Sequence, residues 1–465
     1  MNGAAADLPV AAEAATLERR LGPLDAAAIV VSNVIGGGIF FVPVIVAGLV
    51  SSAWAMLGVW AFGGLLAFAG AMAYAELATL RPRAGGEYVY LRDAFGQGAA
   101  FLTGWTSFVA GFSGAIAAGA VALADYLGRF IPIAASDAAI ASIPLPFLPL
   151  TISPKAIVAI SAILALSFVH LHGSGRIVHN LLAGLKVSAL LAFIALGLTL
   201  GAGSWGHLSE THAVAAPVTG WIIALVPVMF SYSGWNAAAY VAEEIRDPGT
   251  NVPRALALGT LAVVAIYLAL NLLFFYAMPI ADLAALPGGR LTDTVAERLF
   301  GFTAGNLLGA FTIVSIAASI SAMVMAGPRV YFAMARDGVF LAAVGRVHPR
   351  HHTPVVAIAA QAIWSAVLVL SGTLAQLVAY TGFAVVLFAG IAVAALFVLR
   401  WREPHVPRPY RALGYPIAPA VFVAASAIMV VYEIWNNPTT SLAGVAIIGA
   451  GLPVYWFFAR SRRQP

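Results

Sequence analysis

Two long apolar segments of this chain are interrupted by small and polar residues at equivalent places in its two halves: Val34-Ile35-Gly36-Gly37-Gly38-Ile39-Phe40 and Phe230-Ser231-Tyr232-Ser233-Gly234-Trp235-Asn236. Three consecutive glycines continue a helix poorly, because glycine loses more conformational freedom on ordering than any other residue. Each interruption nevertheless sits in a run long enough to cross a bilayer. Hydrocarbon offers no partner to free N–H and C=O groups, so unwound backbone at that depth is buried in protein or lines a ligand cavity. One break per half predicts a carrier-type architecture with its ligand site between the two. Elsewhere, as at Gly63-Gly64, Gly111 and Gly119, glycine reads as close helix crossing.

The rest of the chain suits a bilayer. Of its 465 residues 62% are hydrophobic and only 9% charged, which cannot cover the surface of a soluble protein of this length. At roughly 20 apolar residues per span, twelve segments qualify, centred near residues 37, 66, 112, 161, 188, 232, 265, 317, 362, 387, 426 and 449. Nineteen of the 24 Arg and Lys residues then fall on the side of the N terminus, only Arg129, Lys155, Arg290 and Arg298 on the other, and Lys186 inside a span. The asymmetry predicts a multi-pass protein of the cell membrane with both termini cytoplasmic. Because the basic residues are scattered over short loops, the net charge of +5 is no nucleic-acid signal. The first twenty residues lack the pattern of a cleavable signal peptide. The absence of cysteine removes thiol chemistry, thiolate metal sites and any disulfide-linked ancillary subunit.

The expected organisation is a cytoplasmic tail (1–22), a ten-helix core (23–400) built of two repeats at about 23–203 and 216–400, and a cytoplasmic loop with peripheral spans eleven and twelve (401–465). Those last spans pack on the outside or at a homodimer interface. Five spans per repeat is an odd number, so the second repeat is inverted. The outer half of the first span begins at its break and aims the N–H groups of Gly37, Gly38 and Ile39 at the midplane, an anion site. The outer half of the sixth span ends at its break and directs carbonyls near Phe230 and Ser233 at the same space, which attracts a cation. A small zwitterion such as an α-amino acid satisfies both.

Five further stretches carry a resemblance: NVIGGGIFFVP (33–43), YAELATLRPRAGGEYVYLRDAFG (74–96), FSYSGWNAAAYVAEEIRDPGTNVPRAL (230–256), GPRVYFAMARDGVF (327–340) and RPYRALGYPIAP (408–419). In these the chain resembles the amino acid-polyamine-organocation superfamily of secondary transporters, near its L-type and cationic amino-acid branches. The resemblance implies an all-α membrane fold with a LeuT-like five-plus-five inverted repeat, discontinuous first and sixth helices, and no cofactor. It places the substrate carboxylate at Gly36, Gly37 and Gly38, the ammonium at carbonyls of Val34, Phe230 and Ser233, and Trp235 beside the cavity, with Ile35, Ser231 and Tyr232 completing the two segments. Where family members often carry Ser or Thr, Gly37 supplies no hydroxyl.

Lys186 lies roughly ten residues into a span, about 15 Å from its start, where a charge is expensive and usually functional. It matches a family lysine that occupies the place of a sodium ion in sodium-coupled relatives, which implies sodium independence, with Ser319 and Ser321 as hydroxyl partners. A titrating lysine implies proton coupling and a permanently charged one implies exchange; the sequence leaves both open. Glu243, Glu244, Arg246 and Asp247 close the sixth span in a solvated belt that also holds Glu76, with Glu243 and Arg329 as a candidate cytoplasmic gate. Asp125 and Arg129 suit an i,i+4 pair. No carboxylate or guanidinium stands at the depth of the breaks, which favours a neutral amino acid over a cationic one or a polyamine, the alternatives. A sensor on the same fold is the alternative from another class. Enzyme and metal signals are weak: GxGxxG at 201–206 follows a membrane segment instead of a strand, and His207, His212, His348, His351 and His352 read as solvated.

Overall fold

The computed structural model describes residues 17–144, 150–214, 217–286, 291–301, 304–371 and 374–461. The expected tail falls mostly outside these, but its last residues are docked: Leu21 exchanges backbone hydrogen bonds with Glu244 and Arg246, 2.9 Å each.

α1 (Pro23–Val34) opens on a proline, whose missing N–H is harmless in a first turn, and Asp25 accepts the N–H of Gly22 at 2.8 Å. At 12 residues it is about 18 Å long, too short to cross a bilayer. The chain continues through a 3-10 turn, Gly38–Phe40, into α2 (Val42–Leu49). α3 (Ala53–Leu80) starts with the Ser52 hydroxyl accepting the N–H of Ala55. α4 (Glu87–Phe95) is a short connecting helix and α5 (Gln97–Leu127) a long one with a π-helical stretch at Ser107–Gly111. α6 (Pro154–Leu171), α7 (Gly175–Leu200) and α8 (Pro217–Tyr232) lead to the second break and the single turn α9 (Ala237–Tyr240). α10 (Pro248–Ala277), α11 (Ala304–Arg336), α12 (Val355–Leu370), α13 (Leu374–Arg402), α14 (Ile417–Asn436) and α15 (Ser441–Arg460) complete the chain.

Among the described residues nine helices are long and apolar enough to cross a membrane; Pro23–Val34, Val218–Tyr232 and Val355–Leu370 are shorter. Two of the three short ones are those that end at the breaks. The protein is a helical, multi-pass membrane protein. One departure from an all-α chain is a small antiparallel hairpin pairing Ala141–Ile143 with Leu150–Ile152 in the connection after α5.

α1 is enclosed by α10, α11 and α7, and α10 packs along α3. This puts both breaks in the middle of the main buried cluster, which contains Val34, Ile35, Ile39 and Tyr232. Ion pairs sort to the two ends. One end holds Arg81 with Asp93 and Glu403, Arg92 with Asp337, and Arg336 with Glu243. The other holds Arg129 with Asp293, and Lys155 with Asp125 and Asp137. The expected Asp125–Arg129 pair is therefore not made: Arg129 reaches across to the elements around α11, where it also meets Asn306. Glu76 is not solvated either, being fully buried against Arg400 and Arg408.

Candidate functional site

The first break is a defined turn. α1 ends at Val34, Ile35 has φ −73° and ψ 83°, and the N–H of Gly36 bonds to the carbonyl of Val34 at 2.8 Å, an inverse γ-turn. Gly37 and Gly38 then begin the 3-10 turn, closed by Phe40 N–H to Gly37 O at 2.9 Å. The N–H groups of Gly37, Gly38 and Ile39 precede that first bond and have no partner among the described residues.

At the second break α8 stops at Tyr232, Ser233 N–H bonds to Phe230 O at 3.0 Å, and Gly234 takes φ 100°. A side chain is excluded there twice over, since a Cβ would also stand 2.7 Å from the Asn33 amide.

The two breaks touch. A Cβ on Gly38 would lie 2.8 Å from Ser231 Oγ, and Asn33 donates to the carbonyl of Gly234 at 3.5 Å. Tyr267 of α10 stands between them, its hydroxyl 2.9 Å from Val34 O and 3.0 Å from Ser231 O. A Cβ on Gly37, by contrast, would meet only Phe41, at 3.9 Å. Free donors, two bonded carbonyls and open space beside Gly37 are thus gathered at one depth.

Other expected residues take distinct places. Tyr232 is fully buried, packs its ring on Trp60 and Tyr267, and donates to the carbonyl of Trp60 at 3.1 Å. Trp235 packs edge-on to Tyr74 and Phe422 and, with Ser233, Gly234 and Asn236, lines a small pocket against α13 and α14.

Lys186 extends from α7 to the end of α1. Its ammonium donates to Ser319 Oγ at 2.8 Å, to Ser32 O at 3.2 Å and, closer still, to Ile35 O; Ser319 also donates to Ile35 O at 2.9 Å. With no exposed surface, this amine joins the first, fifth and eighth expected segments through the carbonyls that the break leaves unpaired. Ser321 is not in that group: its hydroxyl is 2.9 Å from His170 Nε2. Two residues along a helix is about 200° of rotation, so Ser319 and Ser321 cannot face one amine.

At the end where α9 lies, the candidate gate is offset by one residue. Arg329 forms a two-pronged pair with Glu244, at 2.7 and 2.9 Å, and is 3% exposed; Glu243 pairs with Arg336 at 2.7 Å and accepts the N–H of Ala84 at 2.9 Å. The 3-10 turn Ala242–Glu244 turns consecutive carboxylates about 120° apart, which sends them to different arginines.

Sequence reasoning missed Tyr267 and Asn33. A tyrosine in an apolar helix reads as core; the available signal was a hydroxyl in a helix of spanning length, which must find a partner. His207 and His212, read as solvated, bond the carbonyls of Phe275 and Ala47, at 3.1 and 2.9 Å.

The amino acid permease family model matches residues 21–458. The chain is 28% identical over 461 residues to the human large neutral amino acids transporter small subunit 2, covering 97% of this chain and 82% of that one. It is also 28% identical to the human Asc-type amino acid transporter 1, over 98% of this chain and 86% of the relative. The serine/threonine exchanger SteT of Bacillus subtilis (strain 168) matches at 28% over 95% of this chain and 97% of its own length. With interrupted helices meeting at the centre of a multi-pass bundle and a family match over nearly its whole length, the chain belongs to the amino acid permease family.

Proposed function

We propose that this protein is a sodium-independent secondary transporter of neutral L-amino acids, with its substrate held between the two helix breaks. One observation carries the reading: unpaired N–H groups of Gly37, Gly38 and Ile39 adjoin the carbonyl-bearing turn of Phe230–Ser233. Donors on one side and carbonyls on the other complement a carboxylate and an ammonium on one carbon. The relatives named for neutral amino acids and for serine and threonine fit that class. The amine of Lys186 fills the position between α1, α7 and α11 that a coupling ion would otherwise need.

In this reading α1 with α2, α3, α5, α6 and α7 form one five-span repeat within 23–203, and α8 with α9, α10, α11, α12 and α13 its inverted counterpart within 216–400, in a LeuT-like arrangement of twelve spans. Residues 401–465 are peripheral, both termini are cytoplasmic, and the end rich in arginine faces the cytoplasm. Any ancillary subunit associates without a disulfide, since the chain has no cysteine.

The test is counterflow in proteoliposomes with a panel of twenty amino acids, with sodium or choline outside. Accumulation of neutral amino acids, unchanged by choline and blocked neither by carboxyl esters nor by N-acyl derivatives, is expected. A sodium requirement would overturn the role of Lys186, and competition by both blocked forms would overturn the site.

A further inference from the structure

Glu87, the first residue of α4, is buried and outside every spanning helix, yet no ion pair among the described residues reaches it. Its carboxylate is held by neutral donors alone. Tyr74 O–H donates to Oε1 at 2.6 Å, Asn236 Nδ2 donates to the same oxygen at 2.7 Å, and the same amide donates to the Tyr240 hydroxyl at 3.2 Å, which sets that phenol beside the carboxylate. Asn236 and Tyr240 belong to the segment that follows the second break, and Tyr74 carries the ring on which Trp235 packs, 4.9 Å between centroids. The same segment is sewn to the 84–86 turn by Gly85 N–H to Tyr240 O at 3.1 Å.

The surrounding charges are spoken for. Arg400 of α13 pairs with Glu76, Arg329 of α11 with Glu244, and Arg336 with Glu243; on α4 itself Arg92 pairs with Asp93 and Asp337, and Arg81, at the end of α3, with Asp93 and Glu403. What faces Glu87 is phenol and amide: Tyr74, Tyr240, Asn236 and, on its own helix, Tyr90. Burial pushes the carboxyl above the usual range, opposed by the three hydrogen bonds.

A carboxylate in this setting accepts from all its neighbours. A carboxylic acid still offers Oε1 as an acceptor but without its charge, and its other oxygen becomes a donor, so the charge-assisted hold on Asn236, and on the Tyr240 hydroxyl beside it, weakens. We propose that Glu87 is a proton-binding site that latches the segment after the second break: ionised, it holds Asn236 and Tyr240 against the turn before α4; protonated, it releases them and opens that end of the path. The opening serves transport only if the substrate site lies at the breaks, so this inference rests on the preceding one.

Because the chain has no cysteine, one introduced at Ala239, which is fully buried in the latched segment, reports opening without background. Its labelling rate by a membrane-impermeant maleimide, corrected for thiolate fraction with a free-thiol standard, is measured on purified full-length protein between pH 5 and 8. The expected rate rises severalfold towards acid. In the Glu87→Gln background it is flat at the acid-limb value, and Tyr240→Phe, which removes one donor from the ionised form, moves the midpoint upward without abolishing the response. A flat profile in the parent, or a Glu87→Gln profile that still follows pH, overturns the latch. Should Glu87→Gln fail to fold, the Tyr240→Phe midpoint decides: unchanged, the latch is wrong. Counterflow run in parallel separates the two readings, since absent counterflow with intact, Glu87-dependent labelling condemns the transport reading alone.

Discussion

Glycine 37 and glycine 38 are neighbours with different jobs. Gly38 is pressed on Ser231, so even Ala there pushes the breaks apart, whereas Gly37 faces open space. Gly37→Val therefore folds and reaches the membrane, but fills the approach to the unpaired N–H groups; uptake falls by more than about tenfold, about 1.4 kcal/mol, with normal detergent-solubilised yield. Gly38→Ala lowers thermal stability as well. Lys186→Met leaves the Ser32 carbonyl without a donor among the described residues and the Ile35 carbonyl with Ser319 alone, and an unsatisfied buried acceptor costs about 1–3 kcal/mol. Its melting temperature drops, and Lys186→Arg restores it only in part, because a planar fork does not fit a site made for a point donor. The triple glycine and the lysine were legible in the sequence because each is anomalous in an apolar helix. Ser321 was read into the lysine's group because adjacency in sequence says nothing about which way a helix turns each hydroxyl.

Between elements, the buried Arg329–Glu244 pair ties α11 to the segment after α9. Removing one partner leaves a charge with no counterpart, typically about 3–5 kcal/mol against the arrangement that buries it, while replacing both costs far less. Arg329→Met should expose this end to a maleimide probe and lower the melting temperature, and Arg329→Met with Glu244→Met should recover most of both. Recovery no better than the single variant would mean that the pair is not what closes the end. Composition and periodicity predicted the long helices, since an uninterrupted apolar run of 20 or more residues allows little else. The pairing of charges was not readable: Arg129 takes Asp293 instead of Asp125, and Arg329 takes Glu244 while Glu243 goes to Arg336, because partners are chosen by helix packing and not by spacing along the chain.

For the molecule as a whole, the 403–416 loop is moored through Glu76, whose carboxylate meets Arg400, Arg408 and the N–H of Ala412. Glu76→Gln should loosen the 403–416 loop, seen as faster proteolysis there, while leaving the breaks intact and counterflow reduced by less than about threefold, under 1 kcal/mol. The hydroxyl of Tyr267 works at the opposite extreme, joining the halves at their centre. A phenol owns one hydrogen, and here two carbonyls, one from each half, compete for it. Val34 has the N–H of Gly36 in reserve; Ser231 has no second donor among the described residues. At every instant in which the hydrogen points to Val34, the other half is one donor short. In the proposed site an ammonium reaching the Ser231 carbonyl would bring three, so a loaded centre would be better knit than an empty one.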